Sequence, residues 1–169
     1  MPLNKDFVGR MVTSSASFEV TRGDIRRFAA AIGDTNPAYR DVAAAQALGH
    51  LDLIAPPTFL ITLTMSSEGT RDLINEPGLG LDYTMVVHGE EKFELHRPIQ
   101  AGDLLDSTTT IASIREVGRN ELMLLVTEVT SSGEKVATVS NTLVSRGSAA
   151  PRAAAPETAA PETAQKQES

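Results

Sequence analysis

The side chains most able to carry chemistry lie in one short polar segment and at three scattered histidines. Residues 34–39 read DTNPAY and follow an amphipathic stretch of the chain. The carboxylate of Asp34 could serve as an acid or a base. The same order of residues also forms an Asx turn that closes a helix. From the residues alone, an acid–base role and a purely structural turn are both open for Asp34.

The histidines do not complete a site by themselves. His88 and His96 are eight residues apart in one extended segment, so without a bulge they face the same side of a strand. A metal pair there would lack an evident third ligand, and we expect neither a metal nor a cofactor. His88 stands beside two glutamates and fits either a pocket mouth or a structural position. His50 precedes Pro57, but the helix turns after Pro57 that should supply an acid to pair with it read FLITLTMSS, with no carboxylate before Glu68.

The composition limits the classes of protein that this chain can be. It has 169 residues, a net charge of −7 and no cysteine, which predicts one domain without disulfides or thiol chemistry. The acidic balance argues against a nucleic-acid partner, which calls for clustered Lys and Arg. No apolar run approaches the ~20 residues of a membrane helix, and residues 1–10 lack the apolar region of a secretory signal. We expect a cytoplasmic protein without a membrane partner.

The composition changes sharply after Arg146. Residues 147–169 contain the sequence AAPET twice and hold no Leu, Ile, Val, Phe or Met. Such a segment cannot bury enough apolar surface to offset the entropy of ordering it. The sequence therefore predicts a folded domain over residues 1–146 and a disordered tail rich in Ala, Pro and Glu over residues 147–169.

The first half of the domain predicts a short strand followed by helices. Alternation around Phe18 favours a strand, and residues 21–24 read TRGD, a capping box that starts a helix ending before Gly33. Asp41 can cap a second, short helix. The apolar run TFLITLTMSSEG after the two prolines predicts a buried helix that begins near Pro57.

The second half changes from helical to strand periodicity after about residue 81. Four long segments rich in β-branched residues alternate between apolar and polar positions, and Gly-containing turns separate them. They predict an antiparallel sheet, with the short first strand at its edge. A strongly apolar helix must be covered on most sides, and a curved antiparallel sheet wrapped around it does so. This α+β arrangement is the hot-dog fold, which usually occurs as a dimer joined at sheet edges.

Three segments carry a resemblance to a known family. FAAAIGDTNPAYRD at 28–41, IAPPTF at 54–59 and FELHRPIQAGDLL at 93–105 together resemble the MaoC-like, hydratase-2-type enzymes over residues 3–146. The likeness is greatest to the non-catalytic, substrate-binding subunit of heterodimeric (3R)-hydroxyacyl-ACP dehydratases, which has a FAS1-like dehydratase domain. The resemblance implies a hot-dog fold and a role in fatty acid metabolism.

The resemblance also implies which catalytic groups this chain has lost. In the family the motif runs Asp-x-Asn-Pro-x-His, and its Asp and His act on the water and the α-proton. A backbone N–H where the central helix begins stabilises the thioester oxygen. Here Asp34 and Asn36 match the motif, but Tyr39 stands at the His position and Pro57 at a position usually held by Gly. A phenol is a weak base at neutral pH, and proline has no N–H to donate.

The resemblance thus implies the substrate-binding half of a dehydratase for acyl-ACP or acyl-CoA thioesters, with a MaoC-like catalytic partner. The residues expected to contact the substrate, besides the retained Asp34, are Asn36, Pro37, Tyr39, Pro57, Thr58, Phe59 and His88. One alternative is an acyl-thioester binding protein without turnover. Another is a self-sufficient homodimeric enoyl hydratase that uses Asp34 and His88. A thioesterase would want a carboxylate on the central helix, and none is placed there.

Overall fold

The computed structural model describes residues 1–149, without the side chains of residues 65 and 66. Four α-helices span Arg22–Ala31 (α1), Val42–Ala47 (α2), Ile61–Ser66 (α3) and Glu68–Ile74 (α4). Single 3₁₀ turns span Lys5–Phe7, Pro37–Tyr39, Pro77–Leu79 and Tyr83–Met85. None of the helices within residues 1–149 is long and apolar enough to cross a membrane. Most of the predicted tail, residues 150–169, lies outside the described residues.

Helix α1 begins and ends where its sequence predicts. The Thr21 hydroxyl accepts a hydrogen bond from the backbone N–H of Asp24, and the Asp24 carboxylate accepts one from the backbone N–H of Thr21. This reciprocal capping box satisfies N–H groups that have no partner within the helix. Gly33, the second residue after the helix, has a φ of +71°, a conformation in which a side chain would be strained. Ile25 and Ala29 are fully buried against the core.

The single helix predicted from Pro57 is wrong, because the segment forms turns and then two short helices. Phe59 and Thr62 donate backbone hydrogen bonds three residues back, to Pro56 and Phe59, so the α-helical spacing starts only with α3. Ser67 then breaks the helix with an extended backbone (φ −60°, ψ 118°). Its hydroxyl caps α4 by accepting from the N–H of Thr70, a local bond that competes with helix continuation.

The strands form one antiparallel sheet. They span Met11–Thr13 (β1), Phe18–Glu19 (β2), Val86–Leu95 (β3), Leu104–Val117 (β4), Asn120–Ser131 (β5) and Glu134–Ser145 (β6). Their order is β1-β4-β5-β6-β3, and β2 also pairs with β4. The four long strands and the short edge strand are as predicted, whereas β1 was not predicted. Strand β3 crosses the sheet to pair with β6 and leaves its other side as a sheet edge.

The apolar core lies between the sheet and the helices. Phe59 is only 1% exposed, and the edge of its ring meets Phe28 and Phe18 at centroid distances of 5.5 Å and 6.3 Å. Leu60 and Leu63 belong to the same cluster, while Leu73 and Ile74 of α4 pack into a second one. The sheet thus covers the segment α3–α4, which is the α+β hot-dog arrangement.

Candidate functional site

The motif loop is held by its own polar side chains. The Asp34 carboxylate accepts a hydrogen bond from the N–H of Asn36 at 2.9 Å, and the Asn36 side chain accepts one from the N–H of Ala38 at 3.0 Å. The guanidinium of Arg40 donates to the Asp34 carbonyl at 2.7 Å. These contacts are two consecutive Asx turns. Asp34 therefore forms the Asx turn that its sequence allows. One of its carboxylate oxygens accepts a hydrogen bond from the backbone.

Tyr39 and Pro57 line one shallow depression. Tyr39 is only 7% exposed, and it shares a depression of about 310 Å³ with Pro57, His96 and Arg97. The depression therefore holds a phenol where the family motif has an imidazole, and a residue without an N–H at the start of the turn. His96 was not expected here. His96 lies in the depression because the chain turns back after β3 and passes alongside Pro57.

The turn between β3 and β4 forms the rigid wall of this depression. The Arg97 guanidinium donates two hydrogen bonds of 2.8 Å to the Asp103 carboxylate, and the N–H of Gln100 adds a third at 2.9 Å. Burial alone would raise the pKa of Asp103, but these donors outweigh it and hold the pKa below its ordinary value. The ion pair fixes the segment that also pairs with Ala55, whose N–H donates to the Ile99 carbonyl at 2.7 Å.

A second, deeper cavity of about 210 Å³ lies between α3–α4 and the inner face of the sheet. Leu125 and Leu143 form apolar walls, and Thr64, His88 and Asn141 supply polar groups. Tyr83, which is 53% exposed, stands with His88 where the cavity meets solvent. This cavity is distinct from the depression at Tyr39.

The polar side of this cavity is a connected cluster. His88 Nε2 lies 2.6 Å from Asn141 Nδ2, and His88 Nδ1 lies 4.0 Å from Glu91 Oε2. The Thr64 hydroxyl is 3.5 Å from Glu91 Oε1. Burial raises the pKa of Glu91, although His88 and Thr64 oppose the change. A histidine that lines the cavity thus lies close to an acid whose pKa is raised by burial.

A β-bulge at Gly89 brings His88 and Glu91 together. The pairing of β3 with β6 shifts between His88 and Glu90, so two residues three apart reach the same face. A Cβ at Gly89 would lie 2.9 Å from a methyl group of Val144, which explains why glycine is present. The expectation that His88 and His96 share one side held only for a strand without a bulge, and this strand has one. A lone glycine within a strand pattern is the sequence signal that could have indicated the bulge.

The structure divides the predicted site residues among four places. Asn36 and Pro37 stay with Asp34 in the motif turn. Tyr39 and Pro57 share the depression, Thr58 is exposed beside it, and Phe59 lies in the core. His88 belongs to the deeper cavity, whose lining does not include Asp34. Among residues 1–149, no group of three or more His, Asp or Glu side chains could hold a metal ion.

Comparison with known proteins gives a consistent set of relatives. The family model of the FAS1-like dehydratase domain region matches residues 6–139. A UPF0336 protein of Parafrankia sp. (strain EAN1pec) is 57% identical over 153 residues, which cover 90% of this chain and 100% of the relative. A UPF0336 protein of Streptomyces coelicolor is 46% identical, over 88% of this chain and 98% of the relative.

Solved structures confirm the hot-dog fold. One is the C-terminally truncated HadBC (3R-hydroxyacyl-ACP dehydratase) complex from Mycobacterium tuberculosis. It has a TM-score of 0.74 and 29% identity, over 84% of this chain and 99% of that chain. A MaoC-like dehydratase has a TM-score of 0.77 and 33% identity, over 83% of this chain and 42% of that longer chain.

Proposed function

Because the chain belongs to the family of the FAS1-like dehydratase domain region, we propose that it is the substrate-binding subunit of a (3R)-hydroxyacyl-thioester dehydratase. The family is of the hydratase and dehydratase type, which is lyase chemistry. The substrate is an acyl thioester of ACP or CoA, and a MaoC-like partner supplies the catalytic Asp and His. In the absence of that partner the chain can pair with itself.

The reaction sets three chemical requirements. A base removes the α-proton, the C–O bond to the 3-hydroxyl breaks as an acid protonates the departing oxygen, and a C=C bond forms. Hydrogen-bond donors must stabilise the thioester oxygen while it carries negative charge. The reverse reaction adds water to the 2-enoyl thioester through the same groups.

The observation that carries the proposal is the depression shared by Tyr39 and Pro57. Tyr39 is buried at the motif position of the base, and Pro57 offers no N–H to the thioester oxygen. The loss of one such donor costs ~100- to 1,000-fold in rate. A half-site that has kept its shape and lost two groups fits substrate binding better than independent catalysis. Of the residues expected to contact the substrate, Tyr39 and Pro57 line this depression, while Asn36 and Pro37 hold the adjoining motif turn and Phe59 lies in the core.

The similarity of this chain to one chain of the HadBC complex supports the proposal that it works with a partner subunit. The HadBC structure is a two-component dehydratase by its description, and this chain covers nearly the whole of one of its chains. Among residues 1–149, strand β3 pairs on one side only and leaves a sheet edge on which a second hot-dog subunit can add its own sheet. We assign that edge to the catalytic partner.

The direct test compares the chain alone with its complex. The purified chain should hydrate a trans-2-enoyl thioester no faster than buffer without protein does. The complex with a MaoC-like subunit should hydrate it rapidly. The loss of enoyl absorbance measures both rates. Substitution of the catalytic histidine in the partner should abolish the activity of the complex. Binding without turnover in every complex would instead identify an acyl-thioester binding protein.

A gain-of-function pair tests the assignment of the two lost groups. Tyr39→His with Pro57→Gly supplies both an imidazole and an N–H, and should give the isolated chain measurable hydratase activity. Tyr39→Phe with Pro57 retained is the matched control, because it alters the motif position without supplying an imidazole or an N–H. A fast unmodified chain whose rate disappears in Asp34→Ala would contradict the proposal and favour self-sufficient catalysis.

A further inference from the structure

The inner face of strand β3 places an acid at the open edge of the sheet. Glu91 lies opposite Asn141 of β6 in the register of the two strands, and directly opposed side chains share one face of a sheet. Because Asn141 is buried on the core side, Glu91 also points inward. Its side chain is only 10% exposed, although β3 ends the strand order within residues 1–149.

Glu91 has no strong partner within the part of the chain that the structure describes. One carboxylate oxygen lies 3.5 Å from the Thr64 hydroxyl, which also donates to the Ile61 carbonyl at 3.3 Å. The other oxygen lies 4.0 Å from Nδ1 of His88. No Lys or Arg within residues 1–149 forms an ion pair with Glu91. The carboxylate has thus lost most of its water without gaining a cation, which is unfavourable.

The outer face of the same strand is different. Lys92 and Glu94 form an ion pair of 2.9 Å there, and both side chains are more than half exposed. Glu90 lies on this face too, opposite Thr142 of β6, and it is exposed. Exposed charges contribute little to stability because water and salt screen them. The charge that an added subunit must satisfy is therefore that of Glu91.

A second sheet added at β3 would bury Glu91 further. Directly opposed side chains on paired strands have Cβ atoms about 4.5–5.5 Å apart, so an inner-face side chain of the added strand would contact the Glu91 carboxylate. Burial of an unpaired carboxylate is costly, whereas a Lys or Arg in contact with it compensates for the lost water. A tight junction therefore requires a cation opposite Glu91.

A second copy of this chain, paired through β3, does not supply that cation. The register places five side chains of β3 on its inner face, and none is a Lys or Arg: Val86, His88, Glu91, Phe93 and Leu95. The lysine of the strand, Lys92, alternates onto the outer face. The ring of His88 is already hydrogen-bonded to the Asn141 side chain at 2.6 Å. Self-pairing would bury both Glu91 carboxylates without a Lys or Arg.

We infer that β3 binds a MaoC-like subunit whose facing strand presents a Lys or Arg on its inner face to Glu91. The inference rests on the proposed function, because it takes that subunit as the partner. It adds a chemical rule for the choice of partner, which the backbone of a sheet edge does not contain. The same rule makes the heterodimer tighter than the homodimer.

Sedimentation of the full-length chain, alone and with the MaoC-like subunit of the active complex, tests the inference. Glu91→Gln keeps the shape of the side chain and removes its charge. It should weaken the heterodimer about 30-fold or more, as expected when one member of a buried charge pair is lost, and it should not weaken self-association. Glu90→Gln, on the outer face of the same strand, is the matched control and should leave both equilibria unchanged.

A double-mutant cycle across the junction identifies the pair. Replacement of the partner's facing Lys or Arg by Met should weaken the heterodimer as Glu91→Gln does, and the two substitutions together should cost little more than either alone. Additive losses, an unchanged heterodimer in Glu91→Gln, or an equal loss in Glu90→Gln would overturn the inference. The proposed function would still stand if that complex hydrates enoyl thioesters. The absence of any complex would overturn the proposed function and the inference together.

Discussion

Asp34 matches a catalytic motif, yet its carboxylate has a clear task in the backbone. The hydrogen bond from the N–H of Asn36 closes the turn after α1, and the Asn36 side chain extends the same arrangement to Ala38. Both residues could be retained for this geometry alone. The sequence allowed the two roles equally, because an Asx turn and a catalytic carboxylate use the same residue type.

Substitutions at Asp34 separate the two roles. Asp34→Asn keeps an acceptor for the turn, so we expect unchanged stability and unchanged activity of the complex. Asp34→Ala loses the turn bond and should cost about 1 kcal/mol, or a fall in melting temperature of about 2–4 °C. Calorimetry and the enoyl hydration assay measure the two effects. A large loss of activity in the stable Asp34→Asn variant would show that the carboxylate takes part in the reaction.

Glu91 should make stability depend on pH. Burial raises the pKa of Glu91 above its ordinary value of 4.5, so the native state holds the proton more strongly than the unfolded chain does. Native stability therefore falls as the pH rises through the interval above 4.5. Glu91→Gln removes this penalty and should raise the melting temperature at about pH 8 but not at about pH 3.5. Exposed Glu90→Gln is the control, and an equal gain at both pH values would contradict the argument.

The elements of this fold differ in how far their sequences predict them. The capping box at Thr21 and the positive φ at Gly33 are local signals, and α1 follows them. Strands β4, β5 and β6 follow their alternation because one face is buried, whereas β3 has no buried residue. The break at Ser67 and the three-residue strand β1 were missed, since neither has enough periodic sequence to reveal it. Their form depends on packing against the sheet.

The bulge at Gly89 decides whether the His88 cluster exists, and strand periodicity alone did not predict it. Gly89→Ala places a Cβ 2.9 Å from a Val144 methyl group and 3.2 Å from the Thr142 carbonyl oxygen. We expect a cost of about 1–3 kcal/mol from this crowding, measured by denaturant unfolding. Gly23→Ala in α1 is the control, because its Cβ has ordinary contacts of 3.4 Å and more and alanine favours a helix. Equal stability of the two variants would mean that the strand accommodates a side chain at Gly89.

At the scale of the whole molecule, the end of the domain can be set by two truncations. The described chain continues past Arg146, where the N–H of Gly147 donates to the Asn120 side chain at 3.1 Å and the N–H of Ala149 to the Arg119 carbonyl at 3.3 Å. Deletion of residues 150–169 should leave the melting temperature unchanged, because that composition has little apolar surface to bury.

The longer deletion, residues 147–169, should lower the melting temperature slightly, because it removes these bonds at the turn between β4 and β5. Thermal unfolding of both truncated chains beside the full chain measures the difference. A fall of several degrees on removal of residues 150–169 alone would show that the predicted tail contributes to the fold.

The open edge of the sheet predicts that this chain does not act as a monomer. Strand β3 ends the strand order, and an exposed edge is a template for pairing with another chain. Val87 and Leu95 on this strand are 40% and 36% exposed, so the strand carries apolar side chains that a partner could cover.

We expect sedimentation to show a species of twice the 18.0 kDa chain mass, or a heterodimer when the MaoC-like subunit is present. Val87→Lys with Leu95→Lys should shift either species toward the monomer, because two charges would be buried at the junction. Val117→Lys is the matched control, since Val117 is 50% exposed at the end of β4, away from the β3 edge. A single 18.0 kDa species, both alone and with the partner, would remove the assembly on which the proposed division of labour depends.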